Sequence, residues 1–256
     1  MRHYLILIVA SLLSSCMGYQ HIATPQYVPF NSKKSDLTAN LSLRYAQVGY
    51  AVGNHISVFA TGYMRDTDVS PIDLETFGAK ESSGNSDYDD SSYEINAGTS
   101  FFKDTPKLNY EIHVGAGGGK SYYSHVIDEG STDYFFELHA HRASVFVQPS
   151  FSYKIPKLTR YFQLGTFTKI ALYKYYDLDI KSNVSTPHRY DKPFKNRDYR
   201  DLYFIEPGAC FRVGAKWIMA NAMFSIPINL EGNTIRYREL NIYVSVFLKF
   251  NLLGKL

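Results

Sequence analysis

The feature that most narrows the fold is a two-residue alternation of apolar and polar side chains that recurs along most of the chain. In Asn241–Phe250, one face holds Ile242, Val244, Val246, Leu248 and Phe250, and the other Tyr243, Ser245, Phe247 and Lys249. In Tyr203–Val213, Tyr203, Ile205, Pro207, Ala209, Phe211 and Val213 alternate with Phe204, Glu206, Gly208, Cys210 and Arg212. The same pattern fits 92–102, 108–123, 139–154, 161–176 and 217–228. Successive side chains of a strand point to opposite faces, so these segments build a sheet with one apolar and one polar side. No 3.6-residue periodicity competes with it. Beyond the first residues, no apolar run is long enough for a spanning helix.

The connections sharpen the architecture. Gly53-Asn54, Lys103–Lys107, Ile155–Arg160 and Gly214–Lys216 are short, whereas 65–91, 125–136, 177–200 and 229–238 are long and polar, in strict alternation. An up-and-down antiparallel barrel gathers short turns at one end and long loops at the other. Val48 to Phe250 supplies nine strands. Asp36–Leu43 adds a tenth, with Leu37, Ala39, Leu41 and Leu43 alternating with Thr38, Asn40 and Ser42. The expected fold is therefore all-β: a single transmembrane barrel of about ten strands, with short periplasmic turns and long external loops. Eight strands is the alternative, because Arg44–Gln47 also reads as a bend within one long strand. An even count returns both termini to the turn end.

A charged start, an apolar run from Tyr4 to Leu13 and small Ser14-Ser15 describe a secretory signal too short to span a bilayer. With Cys16 directly after it, the segment resembles a bacterial lipobox, which implies that Cys16 is the lipidated first residue of the mature chain. A plain signal peptide is the competing reading. The expected organisation is a signal over 1–15, an extended tether over 16–35 and a barrel over 36–256, with acyl chains in the inner leaflet. Cys210 is then left without a partner, so no disulfide framework is expected. The formal charge of +3 makes no electrostatic case for nucleic acid. The 22 Tyr and 17 Phe favour strands and suit aromatic girdles at a membrane interface.

If the apolar faces meet lipid, parity points Glu94, Asn96, Gly98, Glu111, His113, Gly115, Gly117, Arg142, Ser144, Gln148, Gln163, Lys169, Glu206 and Arg212 inward. Three glutamates then share a narrow lumen with three strong cations, which requires pairing and hydrogen bonding. Parity alone leaves the direction open, since a soluble barrel would reverse it. The Gly, Ser, Gln, Glu and Arg at mid-strand favour lipid outside. Barrels of this size are filled by side chains, so a structural network is expected rather than an open pore. Pro149 and Pro207 each remove a ladder hydrogen bond, and bulges are expected there.

The N-terminal third, with Pro25, Val28-Pro29-Phe30, Lys33-Lys34, Tyr50-Ala51-Val52 and His55-Ile56, resembles a family of uncharacterised Gram-negative outer-membrane β-barrel lipoproteins. Phe146-Val-Gln-Pro149 and Phe204-Ile-Glu-Pro207 resemble that family's strand openings. The resemblance implies a barrel in the cell envelope. It supplies no catalytic residue, metal or cofactor.

The stretch "VGAGGGKS" (114–121) ends like a phosphate-binding loop, but Val114 stands where its first glycine belongs, and a strand follows instead of a helix. No nucleotide or other cofactor is expected. The inward glycines read instead as space for long side chains such as Arg142, Lys169 or Arg212. His139 and His141 share a strand face, with His125 nearby, but no carboxylate or Cys cluster completes a metal set. Ser124-His125 with Asp128, or His139 with Asp133, mimics the machinery of outer-membrane lipid-modifying enzymes; this hydrolase or acyltransferase reading is an alternative to a non-catalytic barrel. A periplasmic, lipid-anchored soluble barrel that binds an apolar ligand is the other. Loop 66–90 is acidic and loop 181–200 basic, which offers docking to an envelope protein, a polysaccharide or outer-membrane lipid.

Overall fold

The computed structural model describes residues 24–66, 86–128, 133–154, 162–183, 199–215, 217–230 and 240–252. Its strands are β1 (Asp36–Leu41), β2 (Tyr45–Tyr50), β3 (Ile56–Asp66), β4 (Ser86–Asp104), β5 (Leu108–Asp128), β6 (Asp133–Tyr153), β7 (Phe162–Ser182), β8 (Tyr199–Ala215), β9 (Ile218–Ser225), β10 (Ile228–Asn229) and β11 (Asn241–Asn251). Each strand from β1 to β8 pairs antiparallel with its chain neighbour. β9 pairs with β8 and β11, and β11 pairs with β1, so the sheet closes on itself. β10 continues β9 beyond Ile226-Pro227 and stays on β8. Eleven segments therefore make ten staves of an up-and-down barrel, and no helix occurs among the described residues.

Two details differ from the sequence expectation. The join near Arg44–Gln47 is a tight turn: Ser42 N–H donates to the Tyr45 carbonyl at 2.8 Å, and β2 starts at Tyr45. A short connection thus sits at the loop end, and the alternation of connection lengths fails at this hairpin. Elsewhere strands run deeper into the stretches read as loops. β5 and β6 pair as far as Asp128 and Asp133, and β4 begins at Ser86. At Ser86–Ser92 of β4 nearly every residue is polar, so the alternation that marks a strand in sequence is lost there. The wall is uneven as a result, with six residues in β1 and β2 against 21 in each of β5, β6 and β7.

Burial settles which face looks inward. Val58, Ile95, Val114, Val145, Ile170, Val213 and Val246 are exposed on the outer wall, while Glu94, Glu111, Arg142, Gln148, Lys169, Glu206 and Arg212 are buried inside. The interior also holds many rings. Phe59, Phe146, Tyr173 and Phe204 form one cluster with Tyr123, Phe136 and Leu202. Tyr45, Tyr63, Phe167, Met223 and Tyr243 form a second cluster.

The bulges expected at the prolines are absent. The β6–β7 ladder skips the pairs at 148/169 and 149/168 and resumes in the same register, while Pro207 stays opposite Thr168. A missing N–H needs only a gap in the ladder, and no extra residue is inserted. The irregularity in β6–β7 lies between His139 and His141, where the register shifts, and Asp177 on β7 nearby has φ 52°.

Candidate functional site

The segment read from sequence as a tether lies inside the barrel from Thr24 onward. Residues 24–31 are all buried and join no strand. Phe30 (φ 50°) and Ser35 (φ 66°) adopt left-handed backbone where the chain bends from the lumen into β1. An extended segment that makes no ladder leaves its N–H and C=O groups to be satisfied by other partners. Inward side chains of the wall take that role.

At the turn end, the Asp36 carboxylate accepts the N–H groups of Ser32 (2.9 Å) and Lys33 (3.2 Å), and Lys249 Nζ lies 3.3 Å from it. Lys249 also donates to the Phe30 carbonyl at 2.7 Å. Glu111 on β5 accepts the N–H groups of Phe30 (3.2 Å) and Asn31, and Asn109 Nδ2 donates to the Asn31 carbonyl at 2.6 Å. Higher in the lumen, Arg212 donates to the Val28 carbonyl and, at 2.9 Å, to Asn221 Oδ1. Its guanidinium lies 3.8 Å from the Phe247 ring centre. Gln148 Nε2 donates to the Tyr27 carbonyl at 2.6 Å. Gln47 Nε2 donates to the carbonyls of Pro25 (3.2 Å) and Gln26 (3.1 Å). Gln26 Nε2 reaches Glu206 at 2.6 Å, and Lys169 Nζ donates to Thr24 Oγ1 at 3.0 Å and Tyr173 Oη at 2.8 Å.

Two side chains of the segment occupy fitted places. Tyr27 stacks on Phe59 with ring centres 4.6 Å apart, meets the edge of His113, and sets its hydroxyl 3.2 Å from Thr38 Oγ1, over Gly49. Phe30 lies over Gly165, where any Cβ would meet its ring. The Arg212 guanidinium lies 5.5 Å from the Phe30 ring centre.

The eight residues singled out for a lumen network therefore divide by role. Glu94 and Arg142 pair within the wall at 2.7 Å, with Asn96 (2.8 Å) and Ser144 (3.2 Å) also donating to Glu94. Glu111, Gln148, Lys169, Glu206 and Arg212 all hydrogen-bond to the N-terminal segment. His113 packs by its ring against Tyr27 and Phe59, with Nε2 3.4 Å from Glu111. Glu94 and Arg142 thus face one another, while Glu111, Lys169, Glu206 and Arg212 face a peptide. Lys249, Asp36, Gln47 and Asn109 belong to the same set and were missed. Parity had already put Lys249 on the inner face of the last strand, which was the available signal.

The glycines of β5 also need a corrected explanation. Gly115 makes room for the Phe146 ring, Gly117 for the Asn96 carboxamide, and Gly119 lies against the backbone of Tyr93 and Glu94. Neighbouring strands fill the space, not the long cations expected across the lumen, because Arg142, Lys169 and Arg212 are engaged elsewhere.

His139 and His141 lie on the outer face, away from the lumen. His139 packs on Tyr122 with ring centres 4.7 Å apart, and His141 Nε2 is 3.7 Å from Asp177. With Lys120, Glu137 and Asp179 they line a groove of about 840 Å³. Among the described residues no group of three or more His, Cys, Asp and Glu is placed to hold a metal ion. Asp133 and His139 stand six positions apart on one extended strand, roughly 20 Å at about 3.3 Å per residue. Ser124 and Asp128 are four positions apart on β5, and the side chains of His125, Asp128 and Asp133 lie outside the described residues. So do Cys16 and most of loops 66–90 and 181–200. Comparison with family models, curated proteins and solved structures gave no match.

Proposed function

We propose that this chain is an outer-membrane β-barrel lipoprotein, lipidated at Cys16, with a structural, binding or accessory role in a Gram-negative envelope. The observation that carries the reading is the inverted distribution of side chains. A barrel dissolved in water would expose its charges and bury its valines. Here Glu94, Glu111, Arg142, Glu206 and Arg212 are inside, and Val58, Ile95, Val114, Ile170, Val244 and Val246 are outside. An outer apolar surface of this extent on a monomer is a place for another phase, and hydrocarbon is the one that surrounds a barrel on all sides.

Strand length supports the same reading. The 11 residues of β11 extend about 36 Å at ~3.3 Å each, and a tilt of roughly 40° projects them to about 28 Å, close to the apolar height of outer-membrane barrels. Residues 24–31 occupy the lumen among buried polar side chains, which favours a filled barrel over a soluble carrier of an apolar ligand. The basic 181–200 and acidic 66–90 loops remain the surfaces we propose for an envelope protein or polysaccharide partner.

Two measurements test the proposal. Palmitate labelling of the expressed protein should be lost in Cys16→Ala, and the folded protein should fractionate with the outer membrane and migrate faster on gels unheated than boiled. A Cys16→Ala protein that is fully soluble in aqueous buffer would sink the integral-barrel reading.

A further inference from the structure

The barrel and its N-terminal segment are related as receptor and ligand. Residues 24–31 contribute nothing to the ring, which closes through β1, β9 and β11 on its own ladders. Yet six main-chain groups within Tyr27–Asn31 are each met by a side chain from the wall: Gln148 on β6, Arg212 on β8, Lys249 on β11, and Glu111 and Asn109 on β5. Gln47 on β2 adds the carbonyls of Pro25 and Gln26. Side chains that reach a peptide's backbone recognise its extended shape, while pockets for particular side chains set which sequence is held.

Both parts are present. The slot over Gly49 takes a phenol, and the slot over Gly165, beside Arg212, takes a phenyl three residues on. Val28 and Pro29 fill the interval, and both are buried. Proline has no N–H, so the wall need supply no acceptor there. The acceptors it does supply fall on Phe30 and Asn31, immediately after.

We propose that the lumen is a binding site for an extended peptide of the form Tyr-x-Pro-Phe, which this chain fills with its own residues 24–31 and which takes the same sequence from a separate molecule once the resident segment is severed. The site depends on the barrel interior alone, and the membrane reading stands or falls independently of it.

Lys33 and Lys34 are exposed between the bound segment and β1, which places the cut. A specific protease sequence inserted between them in the full chain lets the protein fold with its segment in place before cleavage. A fluorescent peptide with the sequence of residues 24–32 is then added. The severed segment should stay with the barrel and exchange for the labelled peptide in a saturable way. Peptides carrying Tyr27→Ala or Phe30→Ala should bind at least about tenfold more weakly, as truncated anchor residues do. The uncleaved protein should take up none. The proposal is overturned if the severed segment departs and no peptide replaces it, if it stays without exchanging, or if a scrambled peptide binds equally. Heat-modifiable migration, measured on the same samples, reports membrane-barrel folding separately.

Discussion

A single buried-in-lipid cation distinguishes the two environments open to the outer wall. Val246 is the middle residue of β11, five positions from either end, with its side chain outward and 45 % exposed. Its neighbours across the ladders are Leu41 on β1 and Ala220 on β9, and both Val244 and Leu248 share its face. If the barrel spans an outer membrane as proposed, the projected length of β11 sets Val246 near the centre of the hydrocarbon layer. Arginine there costs about 2–4 kcal/mol, whereas the same change near an interface costs about 0–1 kcal/mol. In water, an exposed strand position away from special features tolerates substitution within about 0.5 kcal/mol. Val246→Arg and Phe250→Arg, which lies near the strand's end, therefore form a matched pair. Urea unfolding in phospholipid vesicles, followed by the fluorescence of Trp217 and by gel migration, gives both values. The expected result is a loss of about 2–4 kcal/mol for Val246→Arg and at least 1 kcal/mol less for Phe250→Arg. Equal costs at the two positions, or a Val246→Arg protein as stable as the parent, would refute a lipid-facing wall.

The lumen makes further predictions. Arg142→Met leaves the Glu94 carboxylate buried without the cation it pairs with, and should cost about 3–5 kcal/mol, with the double variant Glu94→Leu/Arg142→Met recovering most of that loss. The same urea titration reads both. Gly49→Val drives a methyl group into the Tyr27 hydroxyl and should lower the urea midpoint clearly, while Gly53→Val, with nothing within 4 Å of its Cβ, should leave it unchanged. Cys210 is a buried free thiol, so a maleimide mass shift at this residue should appear only after unfolding.

The ring was legible in the sequence because strand alternation is local: Ile242 to Phe250 and Tyr203 to Val213 display both their faces without reference to anything else. Direction was not legible, since the same parity describes a barrel and its inside-out counterpart. The bound segment left no periodic trace. Thr24 to Asn31 is an extended stretch with two prolines, and its partners Glu111, Gln148 and Arg212 lie 80 to 184 positions away in the chain. Parity correctly turned those residues inward, but it carried no information about what they would meet. The aromatic content was visible as composition, and its division between outer wall and interior became visible only through burial, with Phe146 and Phe167 inside and Phe151 and Phe211 outside.

The seam between β1 and β11 joins Asp36 to Asn251, the two ends of the ring. Contacts so distant in sequence form slowly, because the loop between them must first be closed. Residues 24–31 hang directly from β1 into the space that the seam encloses. An open sheet can receive them sideways as it curls, whereas a finished ring admits a peptide only end-on, the slower route that an added peptide must take. Assembly therefore has a preferred order, in which the segment lies down on β5, β6 and β8 before β11 meets β1. A variant that delays the segment's docking would show its defect in the rate of maturation, even where the finished barrel is equally stable.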